Sequence, residues 1–184
     1  MKTIIVKELM VPLSEYATVS KDASLYEAVM ALEKAQEAFD PARHRHQAIL
    51  IYDESNHIVG RISQIDILRA LEPGYNEIVH SHSFTRLGLS PMYEKSLIEQ
   101  YALWNKPLND LCRKAGELKV ETFMQTPTEG EYVDENMSLD GAIHQLIMGK
   151  HQSLLVTRKR DMVGILRLSD IFMEVDKNIK ECRL

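Results

Sequence analysis

The chain contains one stretch of sequence twice, and this repeat limits what it can fold into more than any other feature. Arg45-His46-Gln47-Ala48-Ile49-Leu50-Ile51 reads almost residue for residue like Lys150-His151-Gln152-Ser153-Leu154-Leu155-Val156. Val59-Gly60-Arg61-Ile62 with Asp66-Ile67-Leu68 parallels Val163-Gly164-Ile165-Leu166 with Asp170-Ile171-Phe172. Upstream, Met10, Val19, Ser24, Leu25, Ala28, Val29 and Leu32 pair with Met124, Val133, Ser138, Leu139, Ala142, Ile143 and Leu146, at a constant offset of 114. The offset drops to 105 at the His-Gln match and to 104 at the glycines, so the first copy carries nine extra residues after its helix and one more in a later turn. The copies span 6–71 and 120–175. Two copies of one supersecondary unit point to half-domains that bury their faces on each other.

Each copy reads as strand, helix, strand, strand, helix. A short extended piece (Tyr16–Val19, Tyr132–Val133) leads to a helix start. Ser24-Leu25-Tyr26-Glu27 is a capping box, with Leu25, Ala28, Val29 and Leu32 at helical spacing behind it. Ser138 opens the second copy's helix, with Asp140 in its first turn to suit the helix dipole. Then come the strand pairs Ala48–Tyr52 with Ile58–Ser63, and Ser153–Thr157 with Met162–Arg167, each joined by a polar turn. Short helices at Ile65–Leu71 and Ser169–Val175 end the units. The fold class is α+β.

Composition removes several alternatives. Twenty-two Lys and Arg against 27 Asp and Glu give a net charge of −5, which argues against nucleic acid as the main partner. The longest apolar runs, such as Ala48 to Tyr52, fall far short of the ~20 residues that cross a bilayer, so no membrane partner is expected. The first residues, with charges directly after Thr3-Ile4-Ile5-Val6, do not read as a secretory signal. Cys112 and Cys182 make neither a disulfide framework nor a metal knuckle, so a reducing cytoplasm is the default compartment.

The order of elements and its motifs resemble the CBS domain, the module named after cystathionine β-synthase, here as a tandem pair. The lead-ins Val6-Lys7-Glu8-Leu9-Met10 and Val120-Glu121-Thr122-Phe123-Met124 carry the resemblance, with the Ser-Leu-x-x-Ala helix starts and the Val-Gly-x-Ile/Leu-x-x-x-Asp-Ile endings. It implies two repeats paired through their sheets about a pseudo-twofold axis, and commonly a homodimer of two such pairs. Leu25, Val29, Leu68, Ile171 and Phe172 are the expected helix-face contacts of that dimer.

The resemblance also implies an adenosine nucleotide (AMP, ADP or ATP) held as a regulatory ligand, with no required cofactor. In the family a hydroxyl-x-x-Asp at the start of the last helix holds the ribose. Ser63-Gln64-Ile65-Asp66 matches; the second copy reads Arg167-Leu168-Ser169-Asp170, with Arg where the hydroxyl should stand. Arg167 either pairs with Asp170 and fills the cleft or contacts a phosphate. Helix capping is the competing role for both aspartates. Adenine-contacting segments map to Thr18-Val19 and Gln47-Ala48 in copy one, and to Val133-Asp134 and Gln152-Ser153 in copy two. Arg45, His46, Lys150 and His151 lie just before the strands, either as phosphate contacts or as solvated loop charges.

Between the copies, residues 72–119 are 48 residues where the family uses a much shorter connection. Ser90-Pro91 reads as a helix start, and Tyr93, Leu97, Tyr101 and Trp104 form one apolar stripe, with Trp104 as its anchor. A second short helix is expected from Pro107 to Ala115, with Leu108, Leu111 and Cys112 inward and Gly116 as its stop. This insertion is either a helical hairpin on its own pair or a dimerisation or docking arm. His44, His46, His80 and His82 lack partners at metal-ligand spacing, so no metal site is expected. Gly149-Lys150 is no phosphate loop, since His144 holds the place of its first glycine. Carboxylates such as Asp22, Glu27 and Asp66 have no nucleophile or metal ligand beside them, so no enzyme is expected. Two readings stand: a module that senses an adenosine nucleotide and modulates an unknown effector protein in trans, or a CBS-fold interaction and dimerisation module without a nucleotide.

Overall fold

A computed structural model describes residues 4–38, 45–46, 48–72 and 110–181. Repeat one forms a three-stranded sheet, with β2 (Thr18–Ser20) parallel to β3 (Ala48–Tyr52) and β3 antiparallel to β4 (Ile58–Ser63). Repeat two forms β5 (Tyr132–Asp134), β6 (Ser153–Arg158) and β7 (Asp161–Arg167) in the same pattern, and β1 (Val11–Pro12) joins its outer edge. The β3–β4 turn is closed by Asp53, whose Oδ1 accepts from the N–H groups of Ser55 and His57 while Asn56 takes a φ of 60°. Helix α2 (Leu25–Glu37) starts on the expected capping box, with Glu27 accepting from the N–H and hydroxyl of Ser24. Those two bonds hold the Glu27 carboxyl below its ordinary value. Helix α3 (Gln64–Leu71) closes repeat one, and α5 (Leu139–Gly149) and α6 (Leu168–Glu181) are its counterparts in repeat two.

The repeats exchange their leading segments. Helix α1 (Val6–Leu9) lies against repeat two, where Val6 N–H donates to Met137 O and Leu139 N–H donates to Ile4 O. The lead-in of repeat two lies against repeat one: Val120 N–H donates to Ala23 O, and Leu25 N–H donates to Leu118 O. Val11 pairs with Ile165, and Gln125 pairs with Arg61. These pairs interchange under the sequence offsets, which is the pseudo-twofold relation written in hydrogen bonds. Each core is therefore composite: Val6 is buried with Leu154 and Leu166, and Val120 with Ile49 and Ile62. Between the sheets, Leu50 and Leu155 meet with Val11, Tyr16 and Ile165.

The repeated Val-Gly motif follows from this exchange. A Cβ on Gly60 would stand 2.6 Å from Met124 Sδ, and one on Gly164 would stand 2.5 Å from Val11 O and 3.0 Å from Met10 Sδ. Each glycine clears room for the lead-in of the other repeat.

Several details depart from the sequence reading. Helix α6 continues past Val175 to Glu181, extended by turns such as the one that the Lys180–Asp176 pair bridges at 2.7 Å. Helix α4 (Leu111–Glu117) contains Gly116 rather than stopping at it. Its end is fixed by backbone pairing at Leu118 and by Lys114 Nζ donating to Leu71 O, which offsets the roughly 1 kcal/mol a helical glycine costs. Cys112 is exposed, because α4 turns the Leu111, Lys114 and Ala115 side toward α2 and α3. Leu25 and Ile171, expected on a dimer face, are buried in their own repeats; Val29, Leu68 and Phe172 are exposed. The stripe Tyr93, Leu97, Tyr101 and Trp104 lies outside the described residues, as do Gln47, His44, His80, His82 and Cys182.

Candidate functional site

Two candidate sites follow from the repeat, one at the start of α3 and one at the start of α6. In the first, Ser63 ends β4 opposite Ala48, so the segment expected at the adenine stands beside the one expected at the ribose. Thr18 pairs with Leu50 on the far side of β3, and Val19 is buried. Asp66 is the third residue of α3 and forms a second capping box. Its Oδ2 accepts from the Ser63 N–H at 2.9 Å and from the Ser63 hydroxyl at 2.5 Å. Its Oδ1 accepts from Gln125 Nε2 at 2.7 Å. The carboxylate is only 6% exposed, while Gln125 itself is exposed. The cap thus uses one oxygen and the Gln125 amide the other.

Around Asp66 stand polar groups that pattern reading did not find. Arg61 forms an ion pair with Glu131 across the repeats, and Glu131 Oε2 accepts from the N–H and hydroxyl of Thr128. Gln125 is fixed by its backbone, which exchanges two 2.9 Å bonds with Arg61. A signal was present in the repeat alignment. The counterparts of Arg61, Gln125 and Glu131 are Ile165, Val11 and Ala17, all apolar and all buried. Positions where one copy is polar and the other apolar mark where the clefts diverge.

At the second site the chain pairs its own aspartate. Of the two roles open to Arg167, the pairing with Asp170 is realised. Arg167 Nε donates to Asp170 Oδ2 at 2.5 Å and Nη2 donates to Oδ1 at 2.6 Å, and both residues are 5% exposed. Such a planar two-point match is the strongest form an Arg–carboxylate contact takes. Val133 is buried, Ser153 pairs with Arg167 in the sheet, and Asp134 and Gln152 are exposed. The peptide of Gln152 accepts from Leu168 N–H, which anchors the start of α6.

His46 turns inward, wholly buried and edge-on to Tyr16 at 4.5 Å between ring centroids, whereas Arg45 is exposed. His46 lies before β3 and packs on Tyr16, so its ring does not share the solvated setting of Arg45. Lys150 is exposed in a left-handed conformation that ends α5, and His151 is half-buried. Tyr16 was read only as the start of a strand, yet it joins the two sites. Its hydroxyl hydrogen-bonds with the backbone of Ala48 and lies within electrostatic reach of Arg167, Asp170 and Arg61. Burial dominates these influences and pushes the phenol up to about 12. Its counterpart is Gly130, which is exposed.

The CBS domain model matches residues 6–73, the whole of the first repeat through α3. That stretch of the chain is a CBS domain. The fold of the chain is that of solved CBS pairs. A CBS domain-containing protein of unknown function from Bacillus anthracis is 20% identical, with 95% of this chain and 94% of that one covered and a TM-score of 0.58. The CBS domain of a bacterial CNNM/CorC family Mg2+ transporter, solved in complex with ATP, is 18% identical over 94% of this chain and 87% of that one, at a TM-score of 0.57. CBSX2, solved in complex with AMP, is 17% identical over 96% and 98%, at a TM-score of 0.56. None of the curated proteins compared matches the sequence. Among the described residues, no helix is long and apolar enough to cross a membrane, and no three His, Cys, Asp or Glu are grouped to hold a metal ion.

Proposed function

We propose that this CBS pair is a regulatory sensor that binds one adenosine nucleotide per chain, in the cleft at Asp66, and modulates a separate effector protein. The observation that carries the reading is the unequal hold on the two aspartates. Asp66 Oδ1 is held by an exposed neutral amide, whereas both oxygens of Asp170 are held by a buried guanidinium. A ribose diol can displace the first for little; displacing the second would break two charge-assisted bonds to a buried cation. The AMP and ATP complexes of similarly folded CBS domains support an adenosine ligand here. Exposed Val29, Leu68 and Phe172 support a homodimer through the helices, and the exposed thiol of Cys112 suits a reducing cytoplasm. The role is binding, not catalysis.

Isothermal titration calorimetry with AMP, ADP and ATP tests this. One of them binds with one site per chain, and Asp66→Ala weakens it roughly ten- to a hundredfold, the worth of a hydrogen bond to a charged acceptor. No heat with any of the three, in a protein that melts cooperatively, would favour an interaction module without a nucleotide.

A further inference from the structure

We infer that Gln125 is an internal competitor for the ligand of the Asp66 cleft, a side chain from repeat two that occupies the acceptor a ribose needs. The inference rests on the nucleotide reading above. Three observations carry it. Gln125 Nε2 lies 2.7 Å from Asp66 Oδ1, and this is the oxygen the capping box leaves over, since Oδ2 takes both Ser63 bonds. The backbone of Gln125 is bonded to Arg61 on both sides, so the amide swings on a fixed base. Its side chain is exposed, so it can leave for water without leaving a buried polar group behind. The opposite cleft has Val11 at this position, which offers no donor; there Arg167 holds the carboxylate instead.

The fixed base gives the displacement a consequence. Met124 sits over Gly60, Gln125 pairs with Arg61, and Arg61 holds Glu131. Residues 124–131 therefore strap the lead-in of repeat two over the cleft of repeat one. A diol that takes Asp66 Oδ1 frees the Gln125 amide on that strap, so occupancy is reported to repeat two at its first residues.

Titration of AMP into parent, Gln125→Ala, Asp66→Ala and the double variant decides the matter. Gln125→Ala binds AMP roughly three- to tenfold tighter than the parent, the gain from removing one competing hydrogen bond. Asp66→Ala and the double variant are equally weak, because the competitor acts only through Asp66. In proton–nitrogen spectra, the Gln125 side-chain amide, identified by its absence from the Ala variant, moves when AMP is added. Equal or weaker binding by Gln125→Ala, or a stationary amide in a parent that binds AMP, overturns the competitor role and leaves the nucleotide reading intact. Absence of AMP binding in both parent and Gln125→Ala overturns the role together with the reading for this nucleotide.

Discussion

The two clefts begin from one template and commit their carboxylates differently. At Asp66 the cap uses one oxygen and an exposed amide borrows the other; at Asp170 a buried guanidinium takes both. Around Asp66 stand Arg61, Gln125 and Glu131; the matching places around Asp170 hold Ile165, Val11 and Ala17. Position 16 holds a buried tyrosine where position 130 holds an exposed glycine. A duplicated site can thus keep the acid that defines it while one copy becomes structural. The change needs only a cation in the hydroxyl position and apolar neighbours to dry it.

The two sites differ most at the aspartates themselves. Asp170→Ala removes the carboxylate of a buried ion pair with Arg167 and lowers the unfolding free energy by about 3–5 kcal/mol. Asp66→Ala removes a cap and costs about 1 kcal/mol. Urea melts of the two variants measure this. Equal losses would mean that the second cleft is no more structural than the first.

A smaller effect distinguishes the tyrosine from its glycine counterpart. The Tyr16 phenol lies at about 12 when folded against an ordinary value of 10.0. A group raised in the folded state contributes its stability fully below the unfolded value and loses it as pH climbs through the folded one. Between pH ~10 and ~12 the parent loses about 2–3 kcal/mol from this residue. Tyr16→Phe flattens that decline, as denaturant melts at the two pH values would show. A decline of the same depth in the Phe variant would place the alkaline sensitivity elsewhere.

The smallest effect concerns the two glycines under the exchanged lead-ins. Gly164→Ala meets the backbone carbonyl of Val11, which cannot move alone, and lowers stability by about 1–3 kcal/mol. Gly60→Ala meets the flexible thioether of Met124 and costs about 1 kcal/mol or less. Melting temperatures in the reverse order would show that the strap of residues 124–131 is the stiffer of the two.

Local features of this fold could be read directly. Strands β3 and β4 run between the expected residues, because apolar runs bounded by an Asp-and-Asn turn leave few options. The Ser24 capping box was legible because both partners lie within one helical turn. The end of α6 was not, since Asp176–Lys180 supports a polar helix that no apolar spacing announces. The polar contacts of the first cleft were hidden for a different reason. Asp66 and Gln125 lie 59 residues apart, and nothing near either names the other. The Arg167–Asp170 pair, three residues apart, could be anticipated as one of two alternatives.

The exchange of leading segments also bears on how the chain reaches its fold. Repeat one without Val120, Phe123 and Met124 has an open core, and repeat two without Ile4, Val6 and Leu9 has another. Neither repeat can complete itself, so unfolding should be a single transition and a fragment ending near residue 71 should not hold a native core. The cooperativity of the molecule therefore resides in the crossed arms, each of which closes the core of the other repeat.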